Sequence, residues 1–172
     1  APARVMAEGE TVSGPGWTLV AVETPGHTMN HLAFALPEGE ALFSGDHVMA
    51  WNTTIVAPPD GEMRAYMASL EKLRGRSETI YWPGHGGPVR EPARLVRCLL
   101  GHRRQREAAI RARLAAGDSR IPEVVAAIYQ GLDPRLRGAA ALSVFAHLED
   151  LVGRGLVACD GPPRLDSAYA PA

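Results

Sequence analysis

From Trp17 to Glu23 the chain alternates between apolar and polar positions and carries β-branched Val20 and Val22, the two-residue period of a half-buried strand. The same reasoning predicts strands over His31–Leu36 and Ala41–Ser44, separated by the turn Pro37-Glu38-Gly39-Glu40. The period then lengthens. Met63, Tyr66, Met67, Leu70 and Leu73 recur at helical spacing, which predicts a helix over residues 61–74 that Asp60 can cap, and Thr79–Trp82 reads as a further strand. Beyond Pro92 the pattern is helical. Helices are expected over 93–116 before Gly117, over 122–130 before Gly131 and over 136–154 before Gly155, the last striped by Leu142, Phe145, Leu148, Leu151 and Val152. Leu156–Asp160 and Arg164–Leu165 can form a short hairpin around Gly161-Pro162-Pro163, completing a winged-helix module, and Ser167–Ala172 reads as a frayed tail. Strand, helix, strand is the layout of a layered α/β fold, in which functional groups collect at strand ends.

A length of 172 residues allows one domain or two small ones, with 46% hydrophobic and 22% charged residues in a globular balance. The change of period places a boundary between residues 1–92 and 93–172, and charge divides the same way. The net charge of −1 conceals 6 basic against 10 acidic residues over 1–90, and 12 against 9 over 91–172. Arg94, Arg97, Arg103, Arg104, Arg106, Arg111 and Arg113 crowd the long helix with only Glu91 and Glu107 opposing them. Cys98 and Cys159 lie far apart, form no CxxC pair and read as buried small hydrophobes. No apolar run approaches the ~20 residues of a membrane span and no signal peptide is visible, so a cytoplasmic address with no membrane partner is expected.

Candidate chemistry sits in three segments, Thr24-Pro25-Gly26-His27-Thr28, Phe43-Ser44-Gly45-Asp46-His47 and Tyr81-Trp82-Pro83-Gly84-His85-Gly86. Each puts a metal-ligating side chain where a strand runs into a Gly-containing loop. A neutral imidazole nitrogen and a carboxylate oxygen both suit zinc, and a flanking Gly lets backbone approach the ion. These motifs, with Tyr66, Ser69-Leu70, His102-Arg103 and Arg106-Glu107, resemble the metallo-β-lactamase fold hydrolases, and most of all their β-lactamase-like protein 2 subfamily. The resemblance runs from about Trp17 to Val157. It implies that His27 binds one metal, that Asp46 bridges two, and that His85 binds the second.

The family's earlier His-x-His-x-Asp-His motif, which supplies the other four ligands, has no counterpart here; the closely spaced pair His27 and His31 does not reproduce it. The resemblance therefore implies the C-terminal half of an αββα sandwich, entered one strand before His27 and followed by a winged-helix domain. The start at Ala1-Pro2-Ala3 without an initiator Met is what a piece of a longer chain would show. Two zinc ions are expected in the intact protein, and empty or partial occupancy with three ligands alone. The missing sheet would leave the apolar face of Val20, Val22, Leu32, Phe34, Leu42, Phe43 and Ile80 to be covered by self-association or by the N-terminal half.

Several residues carry two readings at this level. His31 either packs as a structural histidine or orients a ligand from behind, and His47 at the mouth of the site can touch substrate or not. His102 and His147 read as surface or interface residues. Arg103, Arg104, Arg106, Arg111 and Arg113 either line up against phosphates or form a solvated face, and the helix over 136–154 is poorly equipped to read a major groove. The expected function is activated-water hydrolysis in the intact protein, with phosphodiesters such as single-stranded RNA favoured by the subfamily resemblance and the basic helix, and small esters, lactones or lactams as the other substrates. The alternative is a catalytically incomplete winged-helix module that binds a partner or nucleic acid.

Overall fold

The computed structural model describes residues 4–172; the Ala1–Ala3 start lies outside them. Five strands make one sheet in sequence order: β1 (Thr11–Gly14), β2 (Trp17–Glu23), β3 (Leu32–Leu36), β4 (Ala41–Gly45) and β5 (Ile80–Pro83). The first three pairings are antiparallel, and β4 and β5 are parallel. A parallel pair needs a crossover, which helix α1 (Met63–Arg74) supplies. Two strands, not one, precede the His27 motif: β1 closes a hairpin on β2, with Val12 opposite Leu19. The helix starts at Met63 behind extended Glu62, which makes no side-chain cap bond, so Asp60 does not cap it.

Alternation of side chains across the sheet decides which face is core. Val22, Ala33, Ala35, Leu42 and Tyr81 point to one side, where Tyr66, Leu70 and Leu73 of α1 and Val96, Leu99 and Leu100 of helix α2 (Pro92–Ala115) cover them. Phe34, Phe43 and Trp82 are neighbours across the strands on the other side, and there Phe43 is 42% and Trp82 44% exposed. The expected apolar face was therefore mixed. Val20, Val22 and Leu42 belong to the helix-covered side, and Leu32, Phe34, Phe43 and Ile80 to the open one.

The second half of α2 leaves the sheet. Its Ile110 and Leu114 join α3 (Ile121–Ile128), α4 (Arg137–Gly153) and the hairpin β6 (Val157–Cys159) with β7 (Tyr169–Pro171) in a second core. The hairpin's return strand is β7, not Arg164–Leu165, and the tail is not frayed. Tyr169 is 1% exposed; its hydroxyl donates to Arg164 O at 2.6 Å and its N–H to Ser119 O at 2.8 Å. Burying a side chain of that size contributes about 2 kcal/mol towards ordering β7, and the hydrogen bonds add to it. Arg64 pairs with Asp150 at 2.9 Å, tying α1 to α4, and Arg154 pairs with Glu107 at 2.7 Å, tying the end of α4 to α2. His147 is buried at 2% exposure instead of lying at the surface, and Cys98 is exposed instead of buried. Among the described residues no helix is long and apolar enough to cross a membrane.

Candidate metal centre

Three loops leaving β2, β4 and β5 bring His27, Asp46 and His85 to one edge of the sheet. The first is bolted to α1. Glu62 N–H donates to Gly26 O at 3.0 Å, and Ser69 Oγ to Pro25 O at 2.8 Å. Gly26 has φ +134°, and a Cβ there would lie 2.2 Å from Tyr66 Cα, so only Gly lets the loop press this closely on the helix. His27 Nδ1 meets Ile55 O at 2.7 Å. A carbonyl only accepts, so Nδ1 carries the proton and Nε2 presents its lone pair to the site.

Asp46 is held by its backbone. Thr54 Oγ donates to Asp46 O at 2.6 Å, and Asp46 N–H donates to His31 Nε2 at 3.3 Å. His31 in turn gives Nδ1–H to Thr24 Oγ1 at 2.7 Å, and burial, with His27 beside it, holds its pKa below the ordinary value and keeps it neutral. His31 thus lies directly behind Asp46 and holds its backbone. The Asp46 carboxylate lies between two imidazoles, with Oδ2 3.9 Å from His27 Nε2 and Oδ1 3.6 Å from His85 Nε2.

Both separations are too long for hydrogen bonds, and Oδ1 is buried without a hydrogen-bond partner. Two donors about 2.1 Å from one zinc ion stand about 3.4 Å apart at a tetrahedral angle and never more than about 4.2 Å. The donor types and spacing therefore fit one ion on each side of the carboxylate. Among the described residues no group of three or more His, Cys, Asp or Glu side chains is placed to hold a metal ion.

His47 is not at the mouth. The chain turns after Ser44, whose carbonyl accepts from His47 N–H at 3.2 Å, so Asp46 points out and His47 points in. Its ring is 0% exposed, 4.6 Å from that of Tyr66, with its pKa pushed down to about 3 by burial and by the neighbouring His31 and His27. A substrate contact for His47 is thereby removed. The arginines do not form one phosphate-facing stripe either. Arg103 is 3% exposed, lies 5.2 Å from the Tyr66 ring centre and donates to Thr54 O and Ser143 Oγ. Arg104 pairs with Glu71 and Arg113 with Asp118, each at 2.6 Å, and Arg106 stacks on Tyr129 at 4.1 Å. Of the five only Arg111 is exposed without an ion pair or side-chain hydrogen bond among the described residues. The contacts by which Thr24 holds His31, Thr54 holds Asp46 and Ile55 holds His27 were not foreseen. The 47–60 connection has no periodicity to read, and the one signal was negative, a loop too long to be only a turn.

A family model described as the metallo-beta-lactamase superfamily matches residues 1–85, and one described as the beta-lactamase associated winged helix domain matches 121–162. The chain belongs to the metallo-beta-lactamase superfamily. It is similar to the beta-lactamase-like protein 2 homolog of Drosophila melanogaster, at 31% identity over 153 residues that cover 87% of this chain and 51% of that protein. It is also similar to an atrochrysone carboxyl ACP thioesterase of Aspergillus fumigatus, 29% identical over 87% of this chain and 49% of that protein. A metallo-beta-lactamase family protein from Thermus thermophilus superposes with a TM-score of 0.82 at 26% identity, covering 97% of this chain and 54% of that one. The chain thus spans about half the length of the metallo-beta-lactamase relatives it matches, and carries both the sheet that holds His27, Asp46 and His85 and the winged-helix part.

Proposed function

We propose that the protein is a metal-dependent hydrolase of esters or thioesters, in which His27, Asp46 and His85 hold two zinc ions together with ligands from residues outside this stretch. The observation that carries this reading is the Asp46 carboxylate with one oxygen turned to each imidazole. Two bound ions supply Lewis acidity, which lowers the pKa of water towards ~7 and polarises a scissile carbonyl. The chain's own residues fix geometry. Ile55 O sets the His27 tautomer, His31 and Thr54 pin the backbone of Asp46, and the first turn of α1 fixes the His27 loop.

The arginines and the comparisons together support one substrate class over the other. Single-stranded RNA was favoured by the subfamily resemblance and a basic stripe, and that stripe is buried, stacked or paired except at Arg111. The similarity to a protein named as a thioesterase supports a carbonyl substrate instead. The test offers the full-length protein an activated ester, an acyl thioester and a single-stranded RNA. Chelator-sensitive turnover of the ester or thioester, restored by zinc and absent in Asp46→Ala, is expected. Efficient RNA cleavage with no ester or thioester turnover would overturn the substrate assignment.

A further inference from the structure

Behind the loop that holds the metal ligands lies a cavity of about 210 Å³. One wall is the segment Asn52–Ile55; the facing wall carries His102, Arg103 and Arg106 of α2, and Tyr129 and the start of α4 close it. No carboxylate lines it. Elsewhere on the same helix arginines are neutralised, Arg104 by Glu71 and Arg113 by Asp118. At the cavity they are not. Arg103 meets the neutral acceptors Thr54 O and Ser143 Oγ and the ring of Tyr66, Arg106 the face of Tyr129, and none of the three basic side chains is in an ion pair among the described residues. Arg103 Nε, Arg106 Nε and His102 Nδ1 are buried without hydrogen-bond partners. Burying guanidinium groups without a counter-charge is costly, and a bound anion would remove that cost.

We propose that this cavity binds the anionic end, a carboxylate or a phosphate, of the substrate hydrolysed at His27, Asp46 and His85. The inference rests on the hydrolase reading given above. A volume of about 210 Å³ is below the ~300 to 1,000 Å³ that holds a whole small-molecule ligand, so it suits one charged group with its first carbons. Planar guanidinium forks match the two oxygens of either anion. The register with the metal centre is built in. Thr54 and Ile55 line the cavity, while Thr54 Oγ holds Asp46 O and Ile55 O holds His27 Nδ1. An anion seated against Arg103 and Arg106 therefore rests on the same four-residue wall that holds Asp46 and His27 in place. The positive field is also felt behind the cavity, where His147 has its pKa pushed to about 3 by burial first and then by Arg103 and Arg106.

The test compares three acyl thioesters with the same acyl group, whose thiol part ends in a carboxylate, a phosphate or a neutral amide, on the full-length zinc-loaded protein. At least one anionic substrate should be preferred over the amide by about tenfold or more in kcat/KM, chiefly through KM, the worth of one charge-assisted hydrogen bond. Which anion is preferred identifies the chemical source. In Arg106→Gln that preference should fall to within about twofold, and in Arg103→Lys, which keeps charge but loses the fork, it should fall part of the way. A wild type with no anionic preference, or a preference that survives both variants, overturns the proposal. If none of the three is cleaved, the hydrolase reading fails by itself, and the cavity is judged by titrating the protein with inorganic phosphate and with acetate while following arginine Nε–H resonances. Saturable shifts that are lost in Arg106→Gln support the site, and their absence overturns it.

Discussion

Gly84→Ala should separate the metal centre from the fold. The Cβ would lie 2.6 Å from Asp46 Oδ1, while its next neighbours, Asp46 Cγ and Gly45 C, stand at 3.5 Å, an ordinary contact. Ordinary contact begins at 3.4 Å, so the carboxylate must retreat by about 0.8 Å. The backbone cannot give easily. Gly84 N–H donates to Gly45 O at 2.8 Å, and Asp46 is held on both sides by Thr54 and His31. The side-chain torsion yields instead, at about 0.5–1.5 kcal/mol, offset by about 0.4–1 kcal/mol from the reduced freedom of the unfolded chain. Net stability should therefore stay within about 1 kcal/mol of wild type. A shift of that size exceeds the roughly 0.5 Å within which a site must be held, so metal affinity should fall about 10- to 100-fold. Urea unfolding and chelator competition on the full-length protein measure the two quantities. A stably folded Gly84→Ala protein with wild-type metal affinity would refute the reasoning, as would outright unfolding.

Gly26→Ala should do the opposite, losing about 3 kcal/mol or more in a denaturant midpoint because its Cβ would meet the backbone of Tyr66 at a positive φ no alanine favours. His147 supplies a pH signature: folded, its pKa is about 3, and unfolded it binds a proton near 6.5, so stability is complete above that value and is lost as pH falls. Between pH 6.5 and 5 the loss is about 2 kcal/mol, and His147→Leu should remove that share of the pH slope in urea titrations. The open face around Phe43 and Trp82 should drive association of the isolated 172-residue chain, giving a sedimentation mass above 18.4 kDa that returns to the monomer value in the double variant Phe43→Lys, Trp82→Lys.

How much of this was legible depends on whether local pattern or tertiary contact decided it. The strands β2 to β5 and all four helices followed from period and punctuation, because one face of each meets a core. β1 is four residues with Thr and Ser among them and exists because β2 offers it an edge, which no pattern within Thr11–Gly14 announces. Tyr169 is the same case at the other end, since its order comes from Ser119 and Arg164, far or folded back in sequence. That His27, Asp46 and His85 lie in loops at strand ends was readable because each directly follows a Gly where a strand pattern stops. The direction of His47 was not, because a turn at Ser44 sends adjacent side chains to opposite sides, and neither was the pairing of Arg104 or Arg113, which needs the partner carboxylate in place.

The central claim is that Asp46 joins two ions that His27 and His85 flank, and the metal-to-protein ratio of the full-length protein and its Asp46→Asn variant tests it most directly. After extensive dialysis against metal-free buffer, elemental analysis should give two ions per chain for the wild type and at most one for the variant, with both proteins folded by circular dichroism. Equal ratios in the two proteins, or a wild type that retains no metal, would contradict the account.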